Sequence, residues 1–452
     1  MKYKSQKIAY YFFGLSMLLL FLQIVYGFIM GFAHMGYDGL HSIIPFNTAV
    51  TVHKNLLVVW IISGFMGAAY YIIPEEAERE IISTKLAMLQ FWALAIVGVV
   101  AVAGFHVGWW EGRKFLEIPR ELDWLVAIDV VGFILLILIT LLKGKKQTTT
   151  AWVLTMGLAA AGLLYLPGMI FFDNLSMDSF FRWWVVHLWV EGVWELIMGG
   201  ILAYLLIKLT GVDREIIEKW LYLIVGLTFL SGILGTGHHY YYTGVPEYWL
   251  LIGGIFSALE PLAFLGMTIF AIQMYRKGNK KHPNKLAVLW TLSTAIVSFL
   301  GAGLLGLAHT LPAVNMHTHG TLITASHGHL AFWGAYGSLV FAMISYAMPQ
   351  MTGRKIFDNR AGHLAYWWSN IGMIGMSVSF AVAGIVQVYI ERLSGKDFMV
   401  AAEAAKPHFF VLIIFASVFT IGITYFIINF IKFGMPRDEA MEAEGNYEAL
   451  NN

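Results

Sequence analysis

Apolar residues fall in long blocks along this chain, and a block of about 18 or more is enough to cross a bilayer as a helix. Twelve such blocks predict membrane spans at 9–34, 47–74, 83–107, 122–143, 150–172, 179–210, 216–242, 248–276, 285–311, 320–350, 361–392 and 408–434. Gly and Trp recur inside them, as helices packed together in lipid allow. No Gly/Ser-rich linker or long polar stretch breaks the series. Residues 1–436 are therefore expected to form one all-α, polytopic domain. The stretch after Pro436, with Asp438, Glu439, Glu442 and Glu444, is expected to be a disordered tail over 437–452.

The polar interruptions predict an orientation. One set of span ends holds Lys2, Lys4, Lys7, Lys143, Lys145, Lys146, Arg276, Lys277, Lys280, Lys281, Arg354, Lys355 and Arg360. The opposite set holds fewer cations: Arg113, Lys114, Arg120, Arg392, Lys396 and Lys406. Lys and Arg concentrate on the cytoplasmic side of membrane proteins. Both termini are thus expected in the cytoplasm, with the segments near Lys114, Asp178, Pro246 and His317 facing outward. Met1–Lys7 is basic, but the apolar run behind it is too long for the core of a cleavable signal peptide.

Composition narrows the chemistry. Of 452 residues 58% are hydrophobic and 13% charged, roughly half the charge of a soluble globular chain. A net charge of +1 excludes a nucleic-acid footprint. Cysteine is absent. That excludes disulfides, iron–sulfur clusters, a thiolate copper centre and covalent c-haem attachment on this chain.

Ionisable residues inside spans are costly and point to function. His53 lies in span 2, His187 in span 6, His238 and His239 near the end of span 7, and His327 and His329 in span 10. At a rise of 1.5 Å per residue all six fall roughly 5–14 Å below the outer surface. His327 and His329 differ by two positions, about 200° around a helix, so they face opposite sides and serve two separate cofactors. His187, Glu191 and Glu195 recur every four residues, which puts an imidazole and two carboxylates on one stripe. Three histidines and a carboxylate suit iron, copper or zinc, and the carboxylate favours a harder ion such as iron. His34, His41, His106, His282, His363 and His408 sit at span ends or in loops and are read as structural. His309, His317 and His319 lie near the outer ends of spans 9 and 10 and are read either as hydrogen-bonding partners of haem propionates or as solvated loop residues.

Four stretches carry a family resemblance: Val52-His53-Lys54-Asn55-Leu56-Leu57-Val58-Val59-Trp60, His187-Leu188-Trp189-Val190-Glu191, Gly235-Thr236-Gly237-His238-His239, and the run from Thr318 to His329. In these the chain resembles the catalytic subunit of bacterial cytochrome c-dependent nitric oxide reductase, in the haem-copper oxidase superfamily. The resemblance implies axial ligation of a low-spin haem b by His53 and His329, and proximal ligation of a high-spin haem b3 by His327. It implies a non-haem iron held by His187, His238, His239 and Glu191, with Glu195 and Glu260 as buried glutamates near the site. Oxygen reductases of the superfamily carry a His-Pro-Glu-Val-Tyr run in place of His187-Leu188-Trp189-Val190-Glu191. The glutamate therefore implies 2 NO + 2 e⁻ + 2 H⁺ → N₂O + H₂O.

The resemblance also implies a small membrane-anchored cytochrome c subunit as partner, in a bacterial inner membrane with the haems toward the outer side. Quinol-dependent relatives carry a fused N-terminal extension, for which Met1–Lys7 leaves no room. Glu117 and Asp178, in or beside outer loops, are read either as groups for proton uptake or as solvated loop charges. One departure concerns a calcium ion that bridges haem propionates in this family, held by an outer-loop Gly-Arg-Glu-x-Leu-Glu stretch. Here the stretch reads Gly112-Arg113-Lys114-Phe115-Leu116-Glu117. Either Lys114, with Arg113 beside it, supplies the counter-charge, or calcium persists on the Gly64 carbonyl and Glu117. The alternative functions are an oxygen-reducing oxidase, with a tyrosine available among Tyr240–Tyr242, and a haem-free transporter.

Overall fold

The computed structural model describes residues 1–278, 282–354 and 359–436. The expected tail at 437–452, and Lys280, Lys281 and Lys355, lie outside these. Among the described residues twelve helices are long and apolar enough to cross a membrane. They are α1 (Ser5–His34), α2 (Phe46–Ala77), α3 (Thr84–His106), α4 (Arg120–Leu142), α5 (Thr149–Gly168) and α6 (Leu175–Thr210). Then follow α7 (Arg214–His239), α8 (Tyr248–Lys277), α9 (Lys285–Thr310), α10 (Leu322–Thr352), α11 (Arg360–Leu393) and α12 (Phe398–Phe433). All twelve predicted spans are present.

Their ends differ from expectation where polar capping outweighs hydropathy. α6 begins at Leu175, before the predicted 179, because the Asn174 side chain accepts the Met177 amide at 3.0 Å. α12 begins at Phe398, well ahead of 408, capped by Asp397 on the Met399 amide at 2.7 Å. It runs through Pro407. α7 closes in a tight turn, Thr236–His239, and α8 is interrupted just before Glu260, where Pro261 cannot donate a backbone hydrogen bond.

Four helices widen locally into π-turns: Trp189–Val193 in α6, Phe299–Leu305 in α9, Trp333–Gly337 in α10 and Val388–Leu393 in α11. Such turns disturb the regular ladder and often mark functional sites. α2, α6 and α10 are the most buried spans, and α10 is among the least hydropathic. They carry His53, His187, and the pair His327 and His329, so the polar ligands lie at the centre of the bundle.

Candidate metal centre

His187, Glu191, His238 and His239 converge. One ligand atom from each lies within 4.8 Å of every other. The His187 Nδ1 stands 3.3 Å from a Glu191 carboxylate oxygen, and the Nε2 atoms of His238 and His239 each stand 3.7 Å from the other oxygen. His187 is 1% exposed, yet its ring nitrogens make no well-aligned hydrogen bond, only looser approaches to the Ser231 and Gly232 backbone. A buried imidazole is rarely left so, and a metal ion would satisfy it. This donor set fits a non-haem ion with an open coordination position.

Local folding aims each group. Glu191 lies in the π-turn of α6 at φ −104°, ψ 22°, so its carboxylate leaves the regular helical direction. The Tyr336 hydroxyl, from the π-turn of α10, donates to the Val190 carbonyl. His238 shares a 2.7 Å hydrogen bond with the Ser257 hydroxyl through Nδ1, leaving Nε2 for the cluster. Asn315 Nδ2 donates to the His238 carbonyl at 2.9 Å. The His239 ring stacks on Trp183 at 4.7 Å and 3°. α6 and α7 approach closely because Gly232 faces Gly192; a Cβ on Gly232 would come within 2.9 Å of the Gly192 Cα.

His53 and His329 face one another with ring centroids 6.1 Å apart and planes 34° apart. Two imidazoles bound to one central metal through bonds of about 2 Å have centroids roughly 6 Å apart. His53 Nδ1 is held by the Gln23 carbonyl at 2.9 Å, and His329 Nδ1 by the Ala325 carbonyl at 2.8 Å, so each presents Nε2. His327 Nδ1 pairs at 2.9 Å with the Gly301 carbonyl, in the π-turn of α9. All three pairings turn Nε2 away from the backbone partner; the Gln23 amide lies 3.4 Å from the His53 Nε2, and the His53–His329 spacing suits two axial ligands of one metal.

Glu195 and Glu260 are buried and adjoin each other and Glu191. His309 is satisfied by Thr318 and Thr324, at 3.0 Å each. Burial, with His239, Lys114 and Arg392 nearby, holds His319 down at about 4, so it is neutral at physiological pH. The Tyr240 hydroxyl donates to the Phe180 carbonyl and the Tyr242 hydroxyl to the Met316 carbonyl.

The outer-loop residues do not assemble a calcium site. Gly64 is buried in α2 against Val340. Glu117 instead meets Lys54 and Asn55. Lys54 lies ten residues back along the same helix from Gly64, a separation of roughly 15 Å. The Glu117 carboxylate is thus placed with Lys54 and Asn55 at the outer end of α2 and not at Gly64. A calcium ion needs six to eight oxygen ligands, and both Glu117 oxygens already accept from protein donors. Arg113 is committed to Asp178 at 3.1 Å and to the Gly168 carbonyl at 2.6 Å. Asp178 and Glu117 are thus ion-paired groups and not solvated loop charges.

Sequence reasoning missed Ser257, Tyr336, Gln23, Trp183 and Arg182, and no motif singles them out. Gln23 had the strongest available signal, a polar residue deep in an apolar block.

Residues 7–429 match the family model described as cytochrome c and quinol oxidase polypeptide I. A nitric oxide reductase subunit of Stutzerimonas stutzeri is 43% identical, the alignment covering 95% of each chain. Cytochrome c oxidase subunit 1 of Rhodobacter capsulatus is 22% identical over 85% of this chain and 75% of its own. The Cbb3-type cytochrome c oxidase subunit CcoN1 of Stutzerimonas stutzeri is also 22% identical, over 82% of each. With a family match over nearly its whole length, this chain belongs to the oxidoreductases of the cytochrome c and quinol oxidase polypeptide I family, the haem-copper oxidases.

Proposed function

We propose that the chain is the catalytic subunit of a respiratory nitric oxide reductase, carrying out 2 NO + 2 e⁻ + 2 H⁺ → N₂O + H₂O. The observation that carries this reading is Glu191 among His187, His238 and His239. Glu191 is a hard oxygen donor, which favours iron over cuprous copper. Tyr240 and Tyr242 direct their hydroxyls to backbone carbonyls, and the Tyr241 hydroxyl is buried without a partner and its ring lies against His319. The 43% identity to a chain of a nitric oxide reductase supports the same conclusion.

His53 and His329 would hold a low-spin haem b, His327 a high-spin haem b3, and the His/Glu cluster a non-haem iron. When bound, the haem–iron pair would supply two electrons and Lewis acidity. The protein's own part is positioning, shielding and proton delivery. Ser257 and Gly301 fix the rings of His238 and His327. Glu195 and Glu260, side by side, can hold a proton between them and pass it toward Glu191. A cavity of about 200 Å³, lined by Phe180, Phe181, Trp184, Ile233, Tyr240 and Trp249, lies beside the His238 turn. Its apolar walls suit a small uncharged gas. Electrons would arrive from a membrane-anchored cytochrome c subunit at the histidine-bearing end of the bundle, which we place on the outer face of the bacterial inner membrane.

Metal and haem analysis of the purified protein, with an NO electrode assay, tests this. The expected result is two b-type haems, one further iron and NO consumption. One copper per two haems with oxygen consumption would replace it with an oxidase; a colourless protein would leave a transporter.

A further inference from the structure

The outer ends of α2 and α6, with loop 107–119, gather more positive than negative charge. Lys54, Lys114 and Arg182 surround the rings of Phe115 and Trp183. The Lys54 ammonium is 5.3 Å from Phe115, the Lys114 ammonium 5.7 Å from Trp183, and the Arg182 guanidinium 5.3 Å from Trp183. Arg113 lies nearby. The acids of this region are Glu111, Glu117 and Asp178; Glu117 is taken by Lys54 and Asp178 by Arg113, and Glu111 lies toward Asp123. Among the described residues, Lys114 and Arg182 have no ion-pair partner. The Arg182 Nε is buried without a hydrogen bond, and its Nη2 reaches only the Ser179 hydroxyl at 3.5 Å. Burial, with Lys54 and Arg182 adding to it, pushes the Lys114 ammonium below its usual 10.5 against the pull of Glu117. Arg182 is half-buried with its Nε unsatisfied, which is costly, and Lys114, whose side chain still reaches solvent, stands in the same cationic group, so this surface favours anions.

Its position says which anions. Lys54 follows His53 directly, and Trp183 stacks on His239. The cations therefore stand at the outer end of the bundle, beside His53 on one side and His239 of the metal cluster on the other. Carboxylates on the haem edges need counter-charge, and a divalent cation placed among these groups would be repelled. We propose that Lys114 and Arg182 themselves neutralise the carboxylates of the two haems, and that this chain holds no calcium there. The proposal rests on the haem assignment above.

The test uses the purified holoprotein with its partner subunit. Elemental analysis after desalting should find well under one calcium per two haems, and chelator should leave the haem spectrum unchanged. One tightly held calcium per protein would overturn the proposal while leaving the assigned function intact; absence of haem would overturn both. Lys114→Met removes a cation that favours the reduced haem, so a redox titration should show a lower haem midpoint potential. Lys114→Arg should restore it. An unchanged potential in Lys114→Met with full haem content would also overturn the proposal. Lys114→Glu, which returns a second carboxylate beside Glu117, should gain chelator-sensitive calcium.

Discussion

At the scale of single residues, the candidate centre separates ligands from the groups that aim them. In the proposed assignment His187 is a ligand whose loss would empty one position without touching either haem slot. His187→Ala should therefore lose the non-haem metal and keep both haems, read by elemental analysis against haem content. Loss of haem together with the metal would contradict the division of the six histidines. Ser257→Ala should do less. It removes the partner of His238 Nδ1 and a 3.2 Å bond to the Gly235 carbonyl, and the loss of such an orienting partner weakens metal affinity about 10–100-fold. Metal retention against a graded chelator series measures the difference. The convergence of His187, Glu191, His238 and His239 was legible in the sequence, because an imidazole inside an apolar span is conspicuous. The partners of His53, His327 and His329 were not. Gly301, Ala325 and Gln23 act through backbone carbonyls, and a carbonyl has no letter of its own. Lys114 shows the reverse case: the sequence exposed the departure, but only the geometry showed that Lys54 and Asn55 already occupy Glu117 and that Arg182 is the other unmatched cation.

At the scale of elements, hydropathy located every span, because about 18 apolar residues are hard to mistake. It misplaced the ends of α6 and α12, where one capping side chain adds helix in polar surroundings that hydropathy cannot register. It was blind to the π-turns. These depend on how neighbouring helices meet, and Tyr336 on Val190 joins two of them across the core. Helix separation is the quantity that matters for the metal. α6 and α7 must come close for His187 to meet His238 and His239, and Gly232 permits this. Gly232→Ala would press a methyl against Gly192 and the Glu191 carbonyl, an overpacking that costs about 1–3 kcal/mol. Gly226→Ala, on the same helix with no atom within 4 Å of the added carbon, is the control. The expected outcome is lower thermal stability and lower metal occupancy for Gly232→Ala, with Gly226→Ala unchanged or slightly more stable. Equal behaviour of the two variants would mean that the close approach does not set the metal geometry.

For the whole molecule, hydropathy and burial run against each other. α3 and α12 are strongly apolar yet among the least buried, while α10 is among the least apolar and the most buried. A bundle in lipid has this arrangement because the hydrocarbon, and not the core, is its driest surroundings, and polar groups gain by turning inward. Twelve spans place the N-terminus and Pro436 at the same end, and the excess of Lys and Arg at that end is the basis for proposing that it faces the cytoplasm. The proposed reaction depends on this orientation, since a cytochrome c partner must reach the end that carries His53 and His239. The chain has no cysteine, so a single introduced thiol reports without background. Lys396, between α11 and α12, and Lys145, between α4 and α5, lie in loops at opposite ends of the bundle. A membrane-impermeant maleimide added to intact cells with a permeabilised outer membrane should label Lys396→Cys. It should reach Lys145→Cys only after the inner membrane is broken. The reverse pattern would put the haem-bearing end in the cytoplasm and remove the proposed donor. Labelling of both before lysis would show that the chain does not span the membrane as an ordered bundle.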